Sequence, residues 1–226
     1  MIPVLDHGFV RLVDHAGSDL SVVRAARVSY DAAWRAGEDQ GSDERLIRYL
    51  WKNQHTTPFE AVTFTFEVKA SIFVLRQWMR HRTWSYNELS ARYRPLPAEF
   101  YVPAPEVIGE QSGKQTRRFD IDPPETRTFE VAVYRLRCEA AFREYDWLLA
   151  RGWPRELARG VLPLATYSHM FATVNLLNLF RFLTLRCGDH AQYEIRVYAE
   201  ALVELVELIV PVCVAAWRER ARVQGR

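Results

Sequence analysis

The spacing of apolar residues along the chain predicts short strands set among longer helices. The segment AVTFTFEVKA (61–70) alternates strictly, with apolar side chains at every second position from 62 to 68 and threonines and Glu67 between them. Such alternation is typical of a half-buried strand. The segments GFVRLVDHAG (8–17) and TYSHMFATV (166–174) are predicted to be two further strands.

Capping residues and helical spacing predict seven helices in the rest of the chain. In chain order they begin at the caps Ser18, Ser42 and Ser71, near Glu125, and at Pro154, Asn175 and Asp189. Their predicted ends lie near Tyr30, Asn53, His81 and Arg151, before Pro163 and at Gly188, the last helix continuing toward the C-terminus. Pro211 is expected to kink this last helix, because proline lacks the amide hydrogen that the helix needs.

These elements predict an α+β fold in which a small, mostly antiparallel sheet packs against a helical majority. The proline-rich and then polar region 95–124 is expected to be a loop, with 109–118 as a mobile surface segment. No segment resembles a linker, so residues 1–226 are predicted to form a single domain.

The composition indicates a globular protein with no field strong enough to attract nucleic acid. Of 226 residues, 49% are apolar and 26% charged, and the formal net charge is only +2. Positive charge that matters must therefore be local. The most apolar stretch, 201–217, contains Glu204, Glu207 and Pro211, so no membrane span is expected.

The cysteines point to a reducing compartment. Cys138, Cys187 and Cys213 are widely spaced and form no CxxC motif, and the N-terminus lacks a secretory leader pattern. A cytoplasmic protein with free thiols is therefore expected. No His, Cys, Asp or Glu set has metal-ligand spacing, so no metal is predicted.

One stretch concentrates cationic donors. RHRTWSYNELSARYR (80–94) holds four arginines and a histidine but no lysine, whereas solvated charged faces usually mix Lys and Glu. Gln77, Arg80 and His81 have i, i+3, i+4 spacing and would share a helix face. In an extended chain beyond that helix, side chains would alternate between a polar side and a core side. The polar side would hold Glu88, Ser90, Arg92 and Arg94, and the core side Leu89, Ala91 and Tyr93.

Paired arginines beside a hydroxyl suit a phosphate, or a planar heterocycle that carries carbonyl and N–H groups. Further donors lie elsewhere in the chain: His55, Arg159, Arg181, Arg186 and His190. Glu194 adds an acceptor. His7, His15 and His169 are expected to be surface or core histidines and not ligands.

The motif residues resemble a known family, the flavin-dependent thymidylate synthases. The segment from Arg80 to Arg92 matches the family signature R-H-R-x-x-S-x-N-x-x-S-x-R at every fixed position, and Tyr93 follows. The likeness extends to ARVSY (26–30), HTTPFE (55–60), VLPL (161–164) and LRCGDHAQYEI (185–195).

The resemblance implies a homotetramer that methylates dUMP to dTMP, with sites built from more than one subunit. It implies bound FAD as redox carrier, 5,10-methylenetetrahydrofolate as carbon donor and NADPH as reductant. The implied dUMP site comprises Gln77, Trp78, Met79, Arg80, Glu88, Leu89, Ser90, Ala91, Arg92, Arg159 and Arg186. The implied FAD site comprises Thr57, Arg80, His81, Arg82, Glu88, Asn175, Leu176, Leu177, Arg181 and His190. His55 and Arg186 are the implied catalytic residues, His55 lying near flavin and folate.

The residue chemistry is compatible with that reaction. Methylating C5 of a uracil requires an electron-rich ring, and the family resembled has no cysteine nucleophile for this purpose. A guanidinium at N3 and O4 can stabilise the ionised pyrimidine instead, and Arg186 is the candidate. Arg92 and Arg159 then suit the phosphate, to which Ser90 can donate a hydrogen bond.

The sequence departs from the family pattern at two positions. The family often has an arginine at the position of Leu177 and an asparagine or histidine at that of Arg181. Positions 177 and 181 share a helix face, so we hypothesise that the arginine has moved by one turn.

Two rival functions are compatible with the same residues. A nucleic-acid-binding module would use the same arginines and aromatics. A flavoprotein reductase would bind FAD without dUMP.

Overall fold

The computed structural model describes residues 1–111, 117–118 and 124–223. The strands are β1 Ile2–Val4, β2 Gly8–Ala16, β3 Thr63–Ser71, β4 Ser85–Glu88, β5 Glu110–Gln111, β6 Arg117–Arg118 and β7 Tyr167–Asn175. The α-helices are α1 Asp19–Arg27, α2 Gln40–Lys52, α3 Ile72–Trp78, α4 Pro124–Ala150, α5 Arg155–Ala158, α6 Leu176–Arg186, α7 Tyr193–Glu207 and α8 Pro211–Val223. Short 3₁₀ turns include Thr57–Ala61 and Arg159–Val161.

The main sheet has the strand order β1-β2-β3-β7-β4 and every neighbouring pair in it is antiparallel. Strand β3 lies at its centre and pairs with β7 from Thr63↔Asn175 to Ser71↔Tyr167. All three predicted strands are present, and the alternating apolar side chains of β3 are fully buried. The predicted α+β fold, with a helical majority, is confirmed.

Two apolar clusters hold the helices in place. The larger one joins the inner face of the sheet to α6, α7 and α8. The smaller one packs α4 against the segment near Phe100 through Phe142, Tyr145 and Leu148. Burial of this size is the main stabilising term for such a fold. The two clusters matter for function because Arg186 ends α6, which belongs to the larger cluster, whereas Arg159 directly follows α5, which packs beside the smaller one.

Two predicted helix caps are wrong. Helix α2 begins at Gln40, not after Ser42, because the Asp39 side chain accepts the amide of Ser42 at 3.0 Å and so caps the helix earlier. Helix α7 begins at Tyr193 with Gln192 as its N-cap, whereas Asp189 lies in a preceding turn.

The predicted kink at Pro211 is instead a complete break. Helix α7 ends at Glu207 and α8 begins at Pro211, a first-turn position where the missing amide hydrogen is not needed. The next two amides, those of Val212 and Cys213, donate to the two carboxylate oxygens of Asp19 at 3.0 Å each. A side chain of α1 therefore caps α8.

The long helix predicted near 125–151 is present as α4 with nearly the predicted bounds. The prediction of a mobile segment at 109–118 falls partly outside the described residues; of the rest, Glu110–Gln111 pairs with Arg117–Arg118. Within the described part of the chain, no helix combines the length and the apolar character that crossing a membrane requires.

Candidate active site

Arg186, the last residue of α6, hydrogen-bonds to Gln77 of α3 and to His81 of the arginine motif. Its Nε donates to Nε2 of His81 at 3.1 Å, and its Nη2 donates to the backbone carbonyl of Gln77 at 3.2 Å. Its Nη1 lies 3.5 Å from Oε1 of Gln77. An arginine at a helix C-terminus is also favoured by the helix dipole. We call Arg186, His81 and Gln77 the inner group.

The inner group corrects one sequence prediction. Helix α3 ends at Trp78, so Arg80 and His81 lie in the turn that follows and do not share a helix face with Gln77. Their amides still bond back to the helix end, Arg80 N to the Gln77 carbonyl at 3.3 Å and His81 N to the Trp78 carbonyl at 3.0 Å. Gln77 and His81 therefore meet through Arg186, while the Arg80 side chain is exposed.

Burial shapes the charges of the inner group. It lowers the pKa of His81 to about 4, and the charge of Arg186 acts in the same direction. His81 is therefore neutral near pH 7, and its Nε2 can accept the hydrogen bond from Arg186. Burial also lowers the pKa of the Arg186 guanidinium. Among the described residues, Arg186 has only neutral hydrogen-bond partners, so its positive charge is not compensated.

A second set of cations, the outer group, surrounds Glu156 of α5. Arg92 Nε lies 3.1 Å from the Glu156 carboxylate, and Arg159 Nε donates to the Glu156 backbone carbonyl at 3.4 Å. Ser90 Oγ accepts the amide of Arg92 at 3.3 Å. These side chains are largely exposed. The outer group thus joins the three residues predicted to bind phosphate to a carboxylate that the sequence analysis did not single out.

The chain between β4 and the outer group turns instead of remaining extended. Leu89 N donates to the His169 carbonyl at 2.7 Å, and Glu88 accepts the hydroxyl of Ser168 at 2.6 Å. Tyr93 N then bonds back to the Ser90 carbonyl at 3.1 Å. This turn breaks the predicted alternation: Ala91 is buried as expected, but Tyr93, predicted to face the core, is 79% exposed.

The candidate flavin residues at the start of α6 are ordered by a cap. The Asn175 side chain accepts the amide of Asn178 at 2.9 Å, and Leu176 N donates to the Val62 carbonyl at 2.8 Å. The side chains of Leu176 and Leu177 are buried, and Thr57 begins the neighbouring 3₁₀ turn.

Leu177 and Arg181 line one cavity of about 630 Å³, as their spacing suggested. Its walls also include Trp51, Trp217 and Arg220. Apolar and aromatic walls with two guanidiniums fit a planar ring system that carries phosphates. Arg220 was not predicted as a site residue; the signal available in the sequence was the basic run RERARVQGR at the C-terminal end.

The remaining candidates differ in their exposure. His55 is exposed, with its ring 5.8 Å from that of Tyr49, and His190 and Arg82 are exposed as well. Trp78 is fully buried in the core and Met79 is half-buried. Among the described residues, no group of three or more His, Cys, Asp or Glu side chains could hold a metal ion.

The three thiols are held in the protonated form. Burial raises the pKa of Cys187 to about 12, with a smaller contribution from Glu200. Burial likewise raises the pKa of Cys138 and that of Cys213, the latter strongly. Because the thiolate is the nucleophilic form, burial lowers the reactivity of each of these thiols.

An antiparallel sheet flanked by helices, with the inner and outer groups of arginines beside it, has the chemistry that suits anionic, planar ligands. The family model described as thymidylate synthase complementing protein (Thy1) matches residues 11–212. The chain belongs to this family.

Relatives and solved structures agree with that assignment. A flavin-dependent thymidylate synthase of Treponema denticola is 44% identical over 97% of this chain and 82% of the relative. Another, from Thermus thermophilus, is 47% identical over 96% of this chain and 78% of the relative. The UMP/dUMP methylase PolB of Streptomyces cacaoi, solved with 5-Br dUMP, has a TM-score of 0.88 and 41% identity, covering 96% of this chain and 97% of its own.

Proposed function

We propose that this protein is a flavin-dependent thymidylate synthase that methylates dUMP to dTMP. The observation that carries the proposal is the uncompensated guanidinium of Arg186, held half-buried by two neutral partners. Such a charge stabilises a ring that becomes anionic far better than one already neutralised by a carboxylate. Relatives named as flavin-dependent thymidylate synthases and a UMP/dUMP methylase of the same fold support the choice of reaction.

In this proposal the two arginine groups divide the nucleotide. Arg186 faces N3 and O4 of the uracil, with Gln77 beside it. Arg92, Arg159 and Ser90 hold the phosphate, which displaces the Glu156 carboxylate from Arg92. The thiols do not act, because their pKa values leave them protonated near neutral pH.

The cavity beside Leu177 and Arg181 is the proposed position of part of the FAD. The flavin, when bound, supplies the two-electron redox chemistry that a reductive methylation requires. Trp51 and Trp217 offer planar contact area, while Arg181 and Arg220 offer charge for the phosphates. 5,10-Methylenetetrahydrofolate is the proposed carbon donor and NADPH the proposed reductant, with His55 as a catalytic residue near them.

We propose that the active protein is a homotetramer. Helix α4 and the segments beside it expose apolar side chains that no described element covers: Phe129, Leu136, Trp147, Trp153, Leu157 and Leu164. Phe129 is 72% exposed and Leu164 65%. Apolar surface of this extent is typical of subunit interfaces. The outer group lies at the end of α4 where several of these residues are found, so a neighbouring subunit can complete the site.

The decisive assay incubates the purified protein with methylenetetrahydrofolate and NADPH under anaerobic conditions, in parallel with dUMP and with UMP. We expect a yellow protein that forms dTMP from dUMP and a flavin spectrum that changes when dUMP is added. UMP is included as the alternative substrate, since PolB is described as a UMP/dUMP methylase. Flavin that does not respond to dUMP, with no dTMP formed, would instead favour a flavoprotein reductase.

Size-exclusion chromatography tests the assembly. We expect about four chains per particle, and loss of FAD when subunits separate, because the flavin residues come from distant segments. A monomer that retains stoichiometric FAD would contradict the shared site.

A further inference from the structure

A chain of side-chain hydrogen bonds leads from Arg186 into the core. Arg186 contacts Oε1 of Gln77, and Nε2 of Gln77 donates to Oε1 of Gln192. Nε2 of Gln192 then donates to Glu194 at 2.7 Å. The other Glu194 oxygen lies 3.4 Å from the hydroxyl of Tyr101. Side chains of α6, α3, α7 and the segment of Tyr101 therefore lie along this chain, and none of the contacts beyond Gln77 has a part in the proposed function.

Among Gln77, Gln192 and Glu194, only Glu194 has a carboxylate, and this carboxylate restricts the direction of its hydrogen bonds. It is 3% exposed and stands in the first turn of α7, where the helix dipole favours a negative charge. A carboxylate accepts hydrogen bonds and donates none, whereas a glutamine amide can be turned to do either. Glu194 therefore fixes the direction of every bond that follows.

The direction passes from one amide to the next. Because Glu194 accepts, Gln192 must present its NH₂ to it and its carbonyl oxygen to Gln77. Gln77 must then present its own NH₂ to Gln192, which leaves its carbonyl oxygen facing the guanidinium of Arg186. With the opposite direction, the NH₂ of Gln77 would face the positive charge of Arg186 and repel it.

We propose that Glu194 and Gln192 are positioning residues: they orient the Gln77 amide so that its oxygen holds the Arg186 guanidinium in place for the pyrimidine ring. We call the chain Glu194–Gln192–Gln77–Arg186 the relay. Its role in catalysis rests on the proposed reaction, but the direction of its hydrogen bonds does not. In this proposal Glu194 acts on the arginine through the two glutamines.

The first test is Glu194→Gln, which keeps the size of the side chain but can donate as well as accept. We expect kcat for dTMP formation to fall about ten- to hundredfold while the KM for dUMP stays within about threefold, because the misplaced guanidinium matters most as ring charge develops. The matched control is Glu200→Gln, the same change on an exposed residue of α7 paired with Arg196. A folded Glu194→Gln variant that turns over like this control would overturn the proposal.

A double-mutant cycle on thermal stability tests the direction itself, independently of the reaction. Gln77→Glu alone places a carboxylate against the carbonyl oxygen of Gln192, and Glu194→Gln alone removes the residue that sets the direction. Combined, they allow Gln192 to turn over and the whole chain to run in reverse. We therefore expect the fall in melting temperature of the double variant to be smaller than the sum of the falls in the two single variants.

Additive losses in the cycle would mean that Glu194 serves only the α7 N-terminus, and the relay would be wrong. If Glu194→Gln does not fold, Gln192→Met, at a half-buried site, interrupts the same chain and should give the same kcat loss. If the parent forms no dTMP, the proposed function fails, yet the melting cycle still decides the relay.

Discussion

The two arginine groups of this protein use the same side chain in opposite surroundings. Arg186 in the inner group is half-buried and bound to a neutral imidazole, a carbonyl and an amide. Arg92 in the outer group is exposed and already faces the carboxylate of Glu156. A buried, uncompensated guanidinium exerts a strong local field, whereas an exposed and paired one is screened by solvent. The two arginines therefore differ in their surroundings and not in residue type, and the proposed division between ring activation and phosphate binding rests on that difference.

The largest effect should come from breaking the inner group. We expect Arg186→Ala to lower dTMP formation by about 10²–10³, since removal of one donor that stabilises a developing charge has an effect of that size. The protein should remain folded and retain FAD, which absorbance and circular dichroism can check. Turnover within a few-fold of the parent would show that ring activation lies elsewhere.

A smaller effect is expected when the outer group loses its geometry but not its charge. Arg92→Lys should weaken dUMP binding about tenfold, because an ammonium cannot grip a phosphate through two parallel bonds. Titration of the flavin spectrum with dUMP provides the dissociation constant, and Arg92→Ala sets the limit for loss of both charge and geometry. Equal binding by the lysine variant would mean that charge alone acts there.

Removing the carboxylate of the outer group should act in the opposite direction. We expect Glu156→Gln to strengthen dUMP binding by up to about fivefold, since an exposed ion pair contributes about 0–1 kcal/mol that the phosphate no longer has to displace. Glu38→Gln, which breaks the exposed Arg35–Glu38 pair, is the control and should leave binding unchanged. Weaker binding in Glu156→Gln would identify that carboxylate as a ligand and not a competitor.

Replacing the three cysteines should not abolish dTMP formation. If Arg186 activates the ring, the variant with Cys138, Cys187 and Cys213 all replaced by alanine should still form dTMP at a rate within a few-fold of the parent. Denaturing mass spectrometry of the parent during turnover should show no sulfur-linked dUMP adduct. A folded, flavin-loaded Cys187→Ala variant without activity would return ring activation to a thiol.

Much of the fold follows from local patterns in the sequence. The strict alternation in β3 determined which face is buried, because side chains of a strand point to opposite sides. Asn175 capped α6 as its residue type suggests, since its side chain accepts the amide of Asn178. The arginine motif likewise predicts a site for anions and planar rings, because guanidiniums beside a hydroxyl favour such ligands.

Only the tertiary structure decided which of these groups meet. Arg186 reaches His81 and Gln77 across 105 and 109 residues of chain, and Glu156 reaches Arg92 across 64. Asp19 caps α8 across 193 residues, which turned an expected kink into a break. Local periodicity indicates which face of an element is apolar, but contacts between distant elements depend on how the helices pack on the sheet. The charge of Arg186 was therefore readable from the sequence, and its neutral, half-buried setting was not.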